Sequence, residues 1–338
     1  MTTGRASGRI ELLAPAGSPE KLALAIHYGA DAVYLAGRQF SLRNFADNFS
    51  TDDLEAAVRF CHERGVRVYV AVNIFARNRD HAGLCRWLDT LGAIGPDAVI
   101  VADAGILSLV RQRIPHIPVH ISTQANTTHT EAALFWQRQG AVRVNLAREL
   151  TLEEIAVIAR STDIEVETFV HGAMCISYSG RCLLSAFMEN RDGNRGECCH
   201  PCRFHYTVME EKRPGQHFPL AEDDRGSYIF NSRDLCMLGH IPELAGAGIR
   251  SFKIEGRMKG IHYLATVLRV YREALDDWQA DPHNFRVREH WRRELAMVDH
   301  RGYCTGFYFG DPAQVVPAYT KPEMASRSGP RSRSGRRS

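Results

Sequence analysis

Ile10-Glu11-Leu12-Leu13-Ala14-Pro15-Ala16-Gly17-Ser18-Pro19 is a short apolar strand, a stop at Pro15-Ala16-Gly17, and a helix start that Ser18 caps and Pro19 enters at its first turn. The same strand-then-helix unit recurs outward from this stretch. Further β-branched or apolar runs read Ala32-Val33-Tyr34-Leu35, Val66-Arg67-Val68-Tyr69-Val70-Ala71-Val72 and Ala98-Val99-Ile100-Val101. Val119-His120-Ile121-Ser122, Val142-Arg143-Val144-Asn145-Leu146 and Ile164-Glu165-Val166-Glu167-Thr168-Phe169 follow. After a long interruption Ser251-Phe252-Lys253-Ile254 leads into a helix from about Gly260 to Gln279. Eight units in one direction fit an α/β fold of the closed (β/α)8 TIM-like barrel type better than an open doubly wound sheet. The two common nucleotide fingerprints, G-x-G-x-x-G and G-x-x-x-x-G-K-[ST], do not occur.

On this reading residues 10–172 hold the first seven units, 173–245 form a cysteine-rich insertion between strands 7 and 8, and 246–310 supply the last unit and a closing segment. Barrel loops that follow strands build the active face, so the insertion is expected to lie over that end as a lid. It carries Cys175-x6-Cys182-x15-Cys198-x3-Cys202, four thiols spread over 28 residues, with Cys199 a fifth beside Cys198. Crowded thiolates on a glycine-rich segment serve an iron-sulfur cluster or a tetrahedral metal. Structural zinc favours closer cysteine pairs than the x6 spacing offers, and Cys199 and Cys236 are spare thiols that could substitute as ligands. Gly172, Gly180 and Gly196 are expected to let the backbone wrap closely around a compact cofactor. Disulfides are the third reading. An export signal would favour them, but Met1 to Arg9 contains no apolar core, and no run of 18 apolar residues occurs, so a cytoplasmic, non-membrane protein is expected.

The 338 residues carry a net charge of +3, unevenly distributed. Residues 321–338 contain six Lys or Arg and one Glu, a local +5 that leaves −2 for the remainder. This Ser, Gly, Pro and Arg tail is expected to be disordered, serving either as a phosphate-grasping arm or as a solubilising end.

Residues just past each strand should ring the mouth. They are Ala16-Gly17, Gly37 with Arg38, Asn73, Asp103, Gln124 with Asn126, Arg148 with Glu149, His171, and Glu255-Gly256-Arg257. Such a mixture of amides, guanidiniums and carboxylates suits a small, polyfunctional anion. Arg148 and Arg257 are candidates to hold a carboxylate each, and Glu255 to orient one of them or act as a base. A rim ion pair is the equally weighted alternative for any one of these side chains. The aromatic run Arg301-Gly302-Tyr303-Cys304-Thr305-Gly306-Phe307-Tyr308-Phe309-Gly310 reads as a packing turn in preference to a base-stacking platform. H-E-x-x-H and G-x-S-x-G, two hydrolase signatures, are missing.

The run from Glu167 through Ser185 resembles the signature of peptidase family U32. Glu11-Leu12-Leu13-Ala14-Pro15-Ala16-Gly17, Gly29-Ala30-Asp31-Ala32-Val33-Tyr34 and Ser251-Phe252-Lys253-Ile254-Glu255-Gly256-Arg257 are similar to further family hallmarks, and the likeness spans about residues 10 to 310. The resemblance implies a barrel with a 4Fe-4S cluster on Cys175, Cys182, Cys198 and Cys202, and oxygen-independent hydroxylation in several members. Branches of the family act on transfer RNA wobble uridine, on a ribosomal RNA cytidine, or on the ubiquinone ring with a partner protein. Phe135-Trp136-Gln137, Val170-His171-Gly172-Ala173, Asn231-Ser232-Arg233-Asp234-Leu235 and His300-Arg301-Gly302-Tyr303 look most like the tRNA branch, whose hydroxyl donor is prephenate. That likeness implies 5-hydroxyuridine as product and tRNA and a small dicarboxylate as partners; for such a substrate Arg148, Glu255, Arg257 and His171, from the ring of strand-end residues, are the candidate catalytic set. Longer members of this branch continue into a small β-rich C-terminal domain, where this sequence has its basic tail. A ubiquinone-ring hydroxylase subunit and a genuine peptidase are the alternatives.

Overall fold

The computed structural model describes residues 9–42, 47–175, 177–204, 207–209, 212, 217–219 and 232–310. The basic tail and Asn231 lie outside the described residues. The chain begins with β1 (Glu11–Pro15), α1 (Pro19–His27), β2 (Ala32–Leu35), α2 (Thr51–His62), β3 (Arg67–Val72) and α3 (His81–Ile94). It continues through β4 (Ala98–Val101), α4 (Ala104–Arg113), β5 (Val119–Ile121), α5 (Thr130–Arg138), β6 (Arg143–Asn145), α6 (Leu152–Ser161) and β7 (Glu165–Ala173). The cysteine segment then contributes α7 (Leu184–Glu189), β8 (Thr207–Met209), β9 (His217–Pro219) and β10 (Asp234–Cys236). Last come α8 (Ile241–Gly246), β11 (Ser251–Ile254), α9 (Ile261–Ala280), α10 (Glu289–Met297) and β12 (Tyr303–Cys304).

β1 to β7 pair in parallel in sequence order, and β11 closes the ring by pairing in parallel with both β7 and β1, Phe252 facing Thr168 on one side and Leu12 on the other. The expected eight-stranded barrel is therefore present, and its helix starts follow local chemistry. Ser18 accepts from the Lys21 amide, Asp103 from that of Ile106, and Ser50 and Thr151 form capping boxes with Asp53 and Glu154. α8 packs against both α6 and α9 and so belongs to the helix ring. The four tryptophans lie on α3, α5, α9 and α10, as their helical context predicts.

Two layers of side chains follow from strand alternation. Leu12, Val33, Val68, Val70, Val99 and Val144 belong to the large core shared with the helices. Leu13, Ala32, Tyr34, Tyr69, Ala98 and Ile100 form a separate cluster. An ionic group, buried at Glu11, Arg143, Glu167 and Lys253 and reaching solvent at Arg67 and Glu165, accompanies the second set. Arg143, 2% exposed, contacts Glu11 at 2.5 Å, Glu165 at 2.7 Å and Glu167 at 3.3 Å. Arg67 reaches Glu11 at 2.5 Å, and Lys253 reaches Glu167 at 2.7 Å. Three carboxylates and three cations thus balance one another, as buried charge must.

β10 runs antiparallel to the end of β7, Leu235 facing Gly172, and β12 lies beside β10. The aromatic turn after β12 is a packing device. Tyr308 donates to the Phe169 carbonyl at 2.6 Å and Tyr303 to that of Leu295 at 2.9 Å.

Candidate functional site

The mouth cavity at the C-terminal ends of the strands is small, about 60 Å³. Asn73, Gln124, Arg148, Glu255 and Arg257 line it, five residues that the strand-end reading places there. Arg148 lies over the Phe169 ring at 4.3 Å and donates through Nη1 to the Ala173 carbonyl at 3.2 Å. Arg257 is buried and donates to Ser41 Oγ at 3.2 Å. Its backbone carbonyl sits so close to Gly17 that a Cβ there would meet it at 2.4 Å, which explains the glycine in the first βα turn.

Lys253 and Asn145 also line this cavity, and the strand-end reading missed both. They sit within strands, Lys253 two residues before Glu255 and Asn145 three before Arg148, earlier than that reading looked. The only signal for Lys253 is a charged residue amid the apolar run Ser251 to Ile254. Its ammonium lies 4.5 Å from the Tyr34 ring centroid and bonds Glu167. Burial lowers its pKa, and Glu167 opposes that fall without cancelling it.

The structure puts His171 elsewhere. Alternation from Glu167 and Phe169 would point it inward, but the β7–β11 register shifts between Lys253, paired with Phe169, and Ile254, paired with His171. Its ring consequently packs among Tyr263 and Tyr271 of α9 and Tyr303, at centroid separations of 5.3 to 6.0 Å. Burial, with help from His300 and Lys259, lowers its pKa to about 3. Asp103 is likewise occupied in capping α4, its Oδ1 accepting from the Ile106 amide at 2.9 Å.

A second cavity, about 410 Å³, adjoins the mouth and shares Gln124, Arg148 and Glu255 with it. Cys175, Cys182, Cys198 and Cys202 all line this one space. Burial pushes the Cys202 thiol up to about 11; Arg203 draws it back, while Cys175, Cys198 and Cys182 add to the rise. Among the described residues no three Cys, His, Asp or Glu side chains converge tightly enough for a single ion. Four cysteines lining one cavity are a donor set of the kind a four-iron cluster takes, one thiolate per iron. Cys199 turns to Ser185, Sγ to Oγ 3.3 Å, and Cys236 faces His171 across the β7–β10 pair. Neither spare thiol lines the cavity.

The cysteine segment is fastened to the barrel. Arg195 holds Asp80 bidentately at 2.7 and 3.1 Å and also donates to the Phe75 carbonyl at 2.7 Å. Asn194 donates to the Cys182 carbonyl at 3.0 Å and accepts from the Phe75 amide at 3.1 Å. Gly180, at φ +77°, approaches Gln124 so closely that a Cβ would meet its carbonyl at 2.7 Å. The close approach this glycine permits is therefore to the barrel itself.

The fold and site define a (β/α)8 barrel whose polar, cationic mouth opens into a cavity lined by four cysteines. The chain belongs to the family described as Peptidase family U32, whose model matches residues 17–316. It is 44% identical over 302 residues to "tRNA hydroxylation protein P1" of Bacillus subtilis (strain 168), covering 89% of this chain and 71% of that one. It is 38% identical over 338 residues to "tRNA hydroxylation protein P" of Escherichia coli (strain K12), covering 88% and 74%. It is also 34% identical over 312 residues to "Collagenase" of Porphyromonas gingivalis (strain ATCC BAA-308 / W83), covering 89% and 73%.

Proposed function

We propose that the protein is an RNA hydroxylase acting on transfer RNA, that it forms 5-hydroxyuridine at the wobble position, and that prephenate is the hydroxyl donor. The observation that carries this reading is the shared wall between the cationic mouth and the cysteine-lined cavity, because it brings an anion site and a nucleobase-sized space together. The names of the two tRNA hydroxylation relatives supply the substrate class. In this reading Arg148 and Arg257 take the donor's carboxylates, where planar guanidiniums offer paired N–H groups. Glu255 stands between the two spaces and orients the donor's polar end. The uridine turns out of its loop into the larger cavity and stacks on Tyr178, a lining residue whose ring is half exposed. Cys175, Cys182, Cys198 and Cys202 would hold a 4Fe-4S cluster, which supplies redox and Lewis-acid chemistry when bound. The setting this implies is the cytoplasm, and among the described residues no helix is long and apolar enough to cross a membrane.

The relative named Collagenase favours a peptidase as the rival reading. Ser122 and Thr123 do line the mouth, but no histidine is among the described residues that line it with them, so a hydrolase's hydroxyl-and-base pair is not assembled there.

The test is nucleoside mass spectrometry of total tRNA from a strain lacking the gene. Loss of 5-hydroxyuridine and its derivatives, restored by the intact gene but not by Cys182→Ala, is expected. Unchanged nucleosides in a strain without a redundant enzyme would sink the reading and turn attention to quinone intermediates.

A further inference from the structure

The floor of the mouth carries more polar groups than the protein itself satisfies. Asn145, at the end of β6, is 2% exposed, yet neither Oδ1 nor Nδ2 has a hydrogen-bond partner among the described residues. Asn73 Oδ1, Gln124 Oε1 and Arg148 Nε are buried and unpartnered in the same way, and all four residues line the one cavity of about 60 Å³. Buried amides are almost always hydrogen-bonded, so four such groups around one space mark a site whose partner is a ligand. Lys253, paired with Glu167, and Arg148 and Arg257 stand around the same space against one lining carboxylate, Glu255, so cations outnumber anions in its wall. Cations select a carboxylate. An amide, offering a donor and an acceptor side by side, selects an uncharged oxygen next to it.

We propose that this floor is a recognition pocket for a carboxylate bearing a carbonyl or hydroxyl oxygen on the adjacent carbon, with Asn145 reading that oxygen and Lys253 and Arg257 holding the charge, while Arg148, on the wall shared with the larger cavity, is left for the donor's second carboxylate. The inference rests on the prephenate reading of the mouth, prephenate being itself a 2-oxo acid, and adds which residues read its 2-oxo end. The pocket is too small for a whole aromatic acid. It takes the acid's end while the remainder extends toward the larger cavity through the wall that Gln124, Arg148 and Glu255 share. Asn145 is a specificity residue here; the carboxylate alone would be held without it.

The test uses the full-length, iron-loaded protein and calorimetric displacement of prephenate by two acids that differ by one oxygen, phenylpyruvate and 3-phenylpropionate. Phenylpyruvate is expected to compete at least about tenfold better, since a buried amide left unpaired penalises the analogue. Asn145→Leu should bring the two within about twofold by weakening phenylpyruvate alone. Should that variant fold poorly, Asn145→Asp, nearly isosteric, should weaken both acids more than tenfold by setting a carboxylate against theirs. Equal competition by the two acids in the wild type, an unchanged gap in Asn145→Leu, or no binding of any acid would overturn the proposal and leave the pocket as a space for about two waters. The outcomes separate from the functional reading: persisting 5-hydroxyuridine in cells carrying Asn145→Leu with an unchanged acid gap would sink the pocket alone. Missing 5-hydroxyuridine dependence with an intact gap would sink the tRNA reading alone.

Discussion

His171 shows how a single buried ring writes a pH dependence into the molecule. Its folded-state pKa is about 3, pushed down chiefly by burial, against about 6.5 for an exposed histidine. The unfolded chain therefore binds the extra proton more readily, so the histidine's contribution to stability is intact above pH ~6.5 and is lost as pH falls from there toward 3. His171→Phe keeps an aromatic among Tyr263, Tyr271 and Tyr303 and sacrifices no hydrogen bond, because neither ring nitrogen has a partner among the described residues. Urea unfolding between pH 7 and 4.5 should show the wild type losing up to about 1.4 kcal/mol per pH unit relative to this variant; parallel curves would mean the ring is reached by water. The same residue marks the limit of reading a site from strand ends. Position just past a strand put Asn73, Gln124, Arg148, Glu255 and Arg257 at the mouth, where they line the cavity, but the register shift beside Ile254 is a property of the β7–β11 pair, and no local pattern in either strand encodes it. Asn145 and Lys253 escaped for a related reason, since inward-facing polar residues inside a strand look like interruptions of an apolar run. Tyr178 carries a second residue-scale expectation: Tyr178→Ala should lower hydroxylation efficiency by the equivalent of about 1–3 kcal/mol of stacking, read as 5-hydroxyuridine formed per unit protein, while Tyr178→Phe should retain most of it.

At the scale of elements, the strand-and-helix order was legible because each unit carries its own punctuation, with Ser18, Ser50, Asp103 and Thr151 capping the helices that follow strands or loops. How the cysteine segment docks was not legible, because the Arg195 contacts to Asp80 and Phe75 join residues more than a hundred positions apart. Arg195 and Asp80 form the fastening, both largely buried at 16% and 13% side-chain exposure, so their pairing is worth more than a surface bridge. Arg77, more exposed, adds a contact to Asp192 at 3.1 Å. Removing Asp80 takes away the carboxylate that Arg195 grips and leaves only the weaker pull of Asp192 and Glu197 on the guanidinium beside the Phe75 carbonyl. Asp80→Ala is expected to weaken the docking by roughly 1.5–3 kcal/mol, and limited trypsin digestion should reveal it as faster cleavage after Arg181 and Arg191 with the helix ring still resistant. The exchange Asp80→Arg with Arg195→Asp should recover part of the protection. Equal digestion rates for wild type and Asp80→Ala would show that Gly180 and Asn194 suffice to hold the segment.

Across the whole molecule, the barrel interior is held by charge as well as by packing, and this sets what the protein tolerates. Glu11 on β1, Arg67 on β3, Arg143 on β6, Glu165 and Glu167 on β7 and Lys253 on β11 link five of the eight barrel strands through one ionic group. Burial alone would raise the Glu11 carboxyl, but Arg143 beside it, with Arg67 and Tyr69, overrides that and holds it below the ordinary range. The sign follows: a depressed carboxyl contributes stability above its unfolded value of about 4.5, and that contribution is lost as pH falls through the lower folded value. Glu165 behaves in the opposite sense, since burial holds its carboxyl above the ordinary value and gives it no such stabilising contribution. Arg143 is the hinge of this balance because it alone touches all three carboxylates. Arg143→Met would leave Glu11 and Glu167 buried with too little positive charge, at a cost of about 3–5 kcal/mol, read as a lowered urea midpoint at pH 7. Pairing it with Glu11→Gln should return part of the loss, because the substituted amide no longer needs the guanidinium, and the coupling between the two sites is then the difference between the double and the summed single effects. A fully additive pair would show that Arg67 and Lys253 already neutralise the interior. In that event the lysine's charge belongs to the barrel's own balance, and the mouth's pull on a carboxylate rests on Arg148 and Arg257.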